Sequence, residues 1–210
     1  MNTPDIAAIQ RATRALYDRQ AAEYARSTDD YGLFPGLLAE LDRFINRADR
    51  SRPLLDLGCG TGRDVAYLRK QGCTAVAADL SIQMLRTAGP WCAENQLPPV
   101  QLSMLHLPFR SGIFGGVWVC ASLLHVPRSG HDDVLGEIFR VLAPGATAAI
   151  SMKAGRGEGW QHSASLPDRR WFTLVDPADF AARLRLAGFT RISCTFSGRK
   201  NWFVAEADRP

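Results

Sequence analysis

The sequence predicts a doubly wound α/β fold, a mostly parallel sheet with helices on both faces. Three observations carry this. From Pro53 onward, apolar runs of about five residues alternate with helical stretches. The runs are continuously apolar, as strands buried on both faces are. The first run ends in a glycine cluster, Gly58, Gly60 and Gly62, that passes directly into a helical pattern.

Each element follows in order. Thr3-Pro4-Asp5 reads as an N-cap with proline in the first turn, opening a helix that runs to about residue 26. "FPGLLAELDRFI" is a second amphipathic helix, with Leu37, Leu38, Leu41, Phe44 and Ile45 on one face. The candidate strands are "PLLDL", "TAVAA", "PVQLS", "GGVWVCA" and "ATAAISM". The helices between them are "GRDVAYLRKQG", "SIQMLRTAGPWCAEN" and "DDVLGEIFRVLA". After Ala154, a Gly- and Arg-rich segment reads as a long loop of the kind that is often functional. "DPADFAARLRLAGF" is a capped helix ending at Gly188, and "TRISCTFS" and "NWFVAEA" form a final antiparallel hairpin across "GRK".

Composition narrows the class. A chain of 210 residues is one domain with a full core. The net charge of +4 is mild and its Lys and Arg are scattered, which argues against nucleic acid as partner. The five cysteines show no CxxC spacing, so a reduced, cytoplasmic chain with no metal site is expected. The N-terminal stretch is too polar for a signal peptide, and the apolar run 112–126 is too short and too interrupted for a bilayer span.

The glycines are spaced GxGxG, not GxGxxG. Asp79 closes the second strand about twenty residues after the first glycine, where a carboxylate can bind ribose hydroxyls. That much suits NAD or S-adenosylmethionine. NAD presents a pyrophosphate to the helix N-terminus. S-adenosylmethionine has none, and its methionine part needs only a surface without side chains.

Here the sequence resembles a known family. "LLDLGCGTG" and "VAADLSIQML" resemble the first two motifs of the class I S-adenosylmethionine-dependent methyltransferases. "LHLPFRSGIFGGVWVCASLLHVP", "IFRVLAPGATAAISM" and "DFAARLRLAGF" resemble later stretches, in order, over residues 53–206. "YDRQAAEYA" is similar to the N-terminal helix that covers the cofactor in small-molecule members. The resemblance implies seven strands ordered 3-2-1-4-5-7-6 with the seventh antiparallel. It implies that residues 1–50 form a helical lid over the carboxyl edge, within the same domain as the Rossmann-like part at residues 51–210.

It also implies roles. S-adenosylmethionine is the cofactor and S-adenosylhomocysteine the product. Gly58 and Gly60 let the methionine part approach, Asp56 holds its ammonium, Asp79 takes the ribose and Leu80 packs on adenine. Ser103 and Met104 stand at the adenine end, where members often carry an acid at the first position, and Ala121 lies beside the cofactor after the fourth strand. Tyr17 and Tyr24 close over the cofactor or pack the helix into the core. Gly115 stands where many members have an aspartate.

His125, just past the fourth strand, is a near-neutral base or a capping residue. His162 and Arg170 in the long segment are placed against the substrate, with a solvated role as the alternative. Cys120 sits in an apolar strand and reads as inert, not nucleophilic. The function implied is methyl transfer to an oxygen or nitrogen of a small molecule. The rivals are an RNA methyltransferase on the same fold and a non-catalytic binder of the cofactor.

Overall fold

The computed structural model describes residues 4–87, 97–163 and 166–210. Strands β1 (Leu54–Leu57), β2 (Ala75–Asp79), β3 (Val100–Gln101), β4 (Phe114–Cys120) and β5 (Leu142–Lys153) are parallel. Strands β6 (Glu158–Ser163) and β7 (Leu166–Thr173) form a separate two-stranded sheet. Strands β8 (Thr190–Phe196) and β9 (Trp202–Asp208) complete the main one, with β9 antiparallel to both neighbours. The main sheet runs β3-β2-β1-β4-β5-β9-β8. With the separate hairpin set aside, this is the expected order.

Period-two alternation sorts the strands' side chains onto two faces. Leu55, Leu57, Val117, Val119 and Ile150 face one apolar layer with helices α5 (His131–Val141) and α6 (Pro177–Leu186). Leu54, Trp118 and Ala149 face the other, with α2 (Leu37–Arg47) and α3 (Arg63–Lys70). Asp56 shares the second face and is 1% exposed. Gly115 is the point of closest approach beneath that face. A Cβ there would lie 2.0 Å from the Asp49 carbonyl oxygen, so no side chain fits without a shift of the backbone.

Helix α1 (Ile6–Thr28) crosses the carboxyl edge of the sheet. Side-chain bonds pin it along its length. Ser81 donates its hydroxyl to Asp18 at 2.6 Å, Gln10 donates to the Ser103 hydroxyl at 2.6 Å, and Gln20 donates to Asp168 at 2.8 Å. Among the described residues, no helix is long and apolar enough to cross a membrane.

Three expectations are corrected, and a fourth falls partly outside the described residues. The cap of α1 is Asp5, whose carboxylate accepts from the Ala8 N–H; Thr3 lies outside the described residues. Helix α2 is not part of a lid. Its apolar stripe, Leu37, Leu41, Phe44 and Ile45, is buried against the sheet face, with Phe44 packed on Trp118 at 5.5 Å between rings. The long loop is mostly the β6–β7 hairpin, held by the directly paired Trp160 and Trp171. Gly155, Gly157 and Gly159, all at positive φ, interrupt the alternation that marks a strand in sequence. The fourth predicted helix is described only as α4 (Ile82–Thr87), and residues 88–96, with Cys92, lie outside the described residues.

Candidate functional site

The sheet's strand order reverses between β1 and β4, and a crevice opens there at the carboxyl ends, where open α/β sheets bind ligands. Two cavities occupy it. The first holds about 80 Å³, beneath α1. The second holds about 370 Å³, toward α2 and the β8–β9 turn. Ligand pockets generally run about 300–1,000 Å³. The second is therefore of ligand size as it stands, while the first is closed down by α1.

The glycine turn builds the floor of the first cavity. Gly58 has φ +82°, and a Cβ there would sit 2.3 Å from the Ser122 Cβ, so only glycine fits. Gly60, at φ +56°, donates its N–H to Asp79 Oδ2 at 2.8 Å, and Ser81 donates its N–H to Oδ1 at 2.8 Å. Each carboxylate oxygen is thus fixed from behind and keeps lone pairs for the cavity. Burial pushes the Asp79 carboxyl above its ordinary range, and backbone N–H groups of Ser81, Gly60 and Leu80 pull the other way. Leu80 and Met104 line the same cavity with Asp79.

Helix α1 supplies the roof through Gln10, Thr13, Tyr17 and Tyr24. The Thr13 hydroxyl is buried with no partner among the described residues. Ser103 is not in the wall. Its hydroxyl accepts from Gln10 Nε2 and from the Leu105 N–H, so it positions Gln10 instead. Gln10 and Thr13 escaped sequence reasoning because polar residues on a helix read as its solvent face. Their spacing to Tyr17 and Tyr24 was the available signal: 10, 13, 17 and 24 fall on one helical stripe.

His125 lies in a 3₁₀ turn after β4, in the wall of the first cavity. Its Nδ1 is 2.6 Å from the Trp171 carbonyl, which can only accept, so Nδ1 carries the proton. Nε2 then accepts from the Tyr17 hydroxyl at 2.9 Å, and Arg170 Nη1 donates to that hydroxyl at 2.9 Å. Burial, aided by the Arg170 charge, pushes the imidazole pKa down to about 3. Of the two readings of His125, the bonds to both ring nitrogens favour the structural one over a free base. Arg170 is itself buried and stands behind Tyr17, in the wall of neither cavity. His162 is exposed on β6 and borders neither cavity.

Tyr24, Gly58, Gly60, Cys120 and Ala121 line both cavities and form the passage between them. Ala121 has φ +52°, a left-handed conformation that disfavours any side chain and is found preferentially at functional sites. Burial pushes the Cys120 thiol far up, as an inert cysteine requires. Asp56 lines the second cavity, with Oδ2 buried and unpartnered among the described residues. Burial, then the nearby Asp64, pushes its carboxyl well above the usual range.

Comparison with known proteins agrees with this fold. Residues 55–150 match a family model described as a methyltransferase domain. The chain is 33% identical over 171 residues to methyltransferase GfsG of Streptomyces halstedii, covering 71% of this chain and 60% of that protein. It is 31% identical over 146 residues to malonyl-[acyl-carrier protein] O-methyltransferase of Enterobacter lignolyticus, covering 69% of this chain and 55% of that one. The chain thus spans less than two thirds of the length of either relative. Its fold superimposes on Burkholderia thailandensis 1,6-didemethyltoxoflavin-N1-methyltransferase, solved with S-adenosylhomocysteine, at a TM-score of 0.73 and 22% identity, over 100% of this chain and 93% of that one. The chain belongs to the class I S-adenosylmethionine-dependent methyltransferase family.

Proposed function

We propose that the protein transfers a methyl group from S-adenosylmethionine to an oxygen or nitrogen of a small-molecule acceptor. One observation carries the reading: Asp79, clamped by the Gly60 and Ser81 N–H groups, faces a cavity floored by glycines. When bound, the cofactor supplies an electrophilic methyl group on a sulfonium.

The residues present fit it. Asp79 would hold the ribose hydroxyls, Leu80 and Met104 would flank the adenine, and the bare backbone at Gly58 and Gly60 would receive the methionine part. Asp56, with its Oδ2 unpartnered among the described residues and close by on β1, suits the ammonium group. Gln10 takes the part that an aspartate plays where this chain has Ser103. One end of its amide is held by the Ser103 hydroxyl, and its oxygen remains to accept from adenine. The unpartnered Thr13 hydroxyl gives that roof a second polar contact.

Catalysis then rests on position. Residues at the passage bring acceptor and methyl into line, which can be worth about 7–11 kcal/mol of barrier when the geometry is good. Tyr17, fixed between Arg170 and His125, keeps α1 seated and water out. His125 acts as a positioning residue for Tyr17. The relatives' names include both an oxygen and a nitrogen methylation, so they support the small-molecule class and leave the acceptor atom open.

The test is transfer of labelled methyl from S-adenosylmethionine into a cell extract fractionated by size. Label is expected in the small-molecule fraction. Label in RNA, or none in any fraction, overturns the reading.

A further inference from the structure

The second cavity has a chemistry of its own. Its body is apolar, from Leu33, Phe34, Leu37 and Trp202. Its polar wall carries three cations, Arg63, Arg199 and Lys200. The Arg63 side chain is only 16% exposed and its guanidinium lies 4.8 Å from the ring centres of both Tyr31 and Phe34, so it is held rigidly. Its Nε donates to Asp64 and its Nη1 to the Thr28 carbonyl. Nη2 has no partner among the described residues, so part of the guanidinium fork is unused.

Asp64 balances Arg63, and the buried Glu40 balances Arg199. Lys200, in the exposed turn between β8 and β9, has no ion pair among the described residues. Asp56, the other acid in the wall, is the group set against the cofactor's ammonium. The cavity therefore offers two cationic groups with unused donors, Arg63 and Lys200, in the wall of an apolar slot, and the slot joins the first cavity at Tyr24 and Ala121.

We infer that the second cavity is the acceptor site and that it selects an anionic acceptor, a carboxylate on a compact apolar or aromatic body held by Arg63 and Lys200. This rests on the methyltransferase reading, which places the cofactor's nucleoside in the first cavity and its ammonium at Asp56, in the wall of the second. A carboxylate could come from two sources here, the acceptor or the cofactor's own methionine part. The size of the cavity and its extension to Lys200 and Trp202, away from Asp79, favour the acceptor.

The experiment uses the full chain, with benzoate and its neutral counterpart benzamide as probes. Binding of S-adenosylhomocysteine is measured first by calorimetry; its absence overturns the methyltransferase reading and the inference with it. Benzoate and benzamide are then titrated into the protein saturated with S-adenosylhomocysteine, followed by ligand-observed NMR. Benzoate is expected to bind about tenfold or more tightly than benzamide, the scale of one charge-assisted hydrogen bond. Lys200→Gln, on a solvent-exposed turn, is expected to remove most of that preference and leave S-adenosylhomocysteine affinity unchanged. Benzoate that binds only without S-adenosylhomocysteine overturns the inference and gives the cations to the cofactor's carboxylate. Equal affinity for the two probes also overturns it.

Discussion

Tyr17 donates its hydroxyl proton to Nε2 of His125 across 2.9 Å, and so occupies the one ring nitrogen able to accept. The same hydroxyl receives a bond from Arg170 on β7. Helix α1, the turn after β4 and the β6–β7 hairpin thus meet at a single oxygen atom.

The pH profile of turnover should reflect this. A histidine whose pKa is pushed down to about 3 stays neutral from pH 5 to 8 and contributes no ionisation there. His125→Ala and Tyr17→Phe should each lower kcat/KM by about ten- to a hundredfold, the scale of a misplaced reacting group. Neither should alter the shape of the profile, and the double variant should do little more than either single one, because the two act as a unit. An ionisation near pH 6.5 in the wild type that His125→Ala abolishes would restore His125 as a general base.

Asp79→Ala should weaken S-adenosylhomocysteine binding by about 1–3 kcal/mol, the range for hydrogen bonds to a charged group. Because burial raises the Asp79 pKa, wild-type affinity should also fall as the medium is acidified and the carboxylate takes a proton. Calorimetry from pH 7 down to 5 checks both. An affinity indifferent to the substitution, with circular dichroism unchanged, would remove Asp79 from the site.

Gln10→Ala separates the adenine contact from the rest of the roof. It should weaken S-adenosylhomocysteine by about tenfold, the worth of one or two neutral hydrogen bonds. Ser103→Ala should produce a smaller loss in the same direction, since it only frees Gln10 to move. If Ser103→Ala proves the more damaging of the two, the serine and not the glutamine meets the adenine.

Asp56→Asn should stabilise the ligand-free protein. The folded-state pKa of Asp56 lies above its unfolded value. Its contribution to stability is complete at low pH and is lost as pH rises through that raised value. The asparagine variant does not titrate, so its advantage should grow with pH, to about 1–3 kcal/mol at neutrality. For a chain of this size that is about 2–12 °C in Tm. The same variant should bind S-adenosylmethionine less tightly, because the ammonium loses its counter-charge. Thermal melts at pH 5 and 8, without ligand, decide the point.

The residues legible in sequence were those whose chemistry is local. The glycine turn and Asp79 announce themselves because one strand, one turn and one carboxylate fix their geometry. The apolar stripe of α2 was equally visible, but a stripe says only that something covers it; whether that is a sheet face or a crevice depends on packing far along the chain. The β6–β7 hairpin was hidden by Gly155, Gly157 and Gly159, which break the alternation. The role of Arg170 was hidden for a different reason. Its partner Tyr17 lies 153 positions away, and no spacing rule reaches that far.

Ala121 gives the crevice an unusual economy. A single methyl group, held at φ +52°, stands between two chambers that, on the reading proposed above, exchange one carbon atom. A valine there would be doubly penalised, by its backbone and by the bulk it pushes into the gap. Such a protein would keep both chambers and shut the door between them. It would hold donor and acceptor side by side without reaction, a captured encounter in which the acceptor could be identified from whatever remains bound.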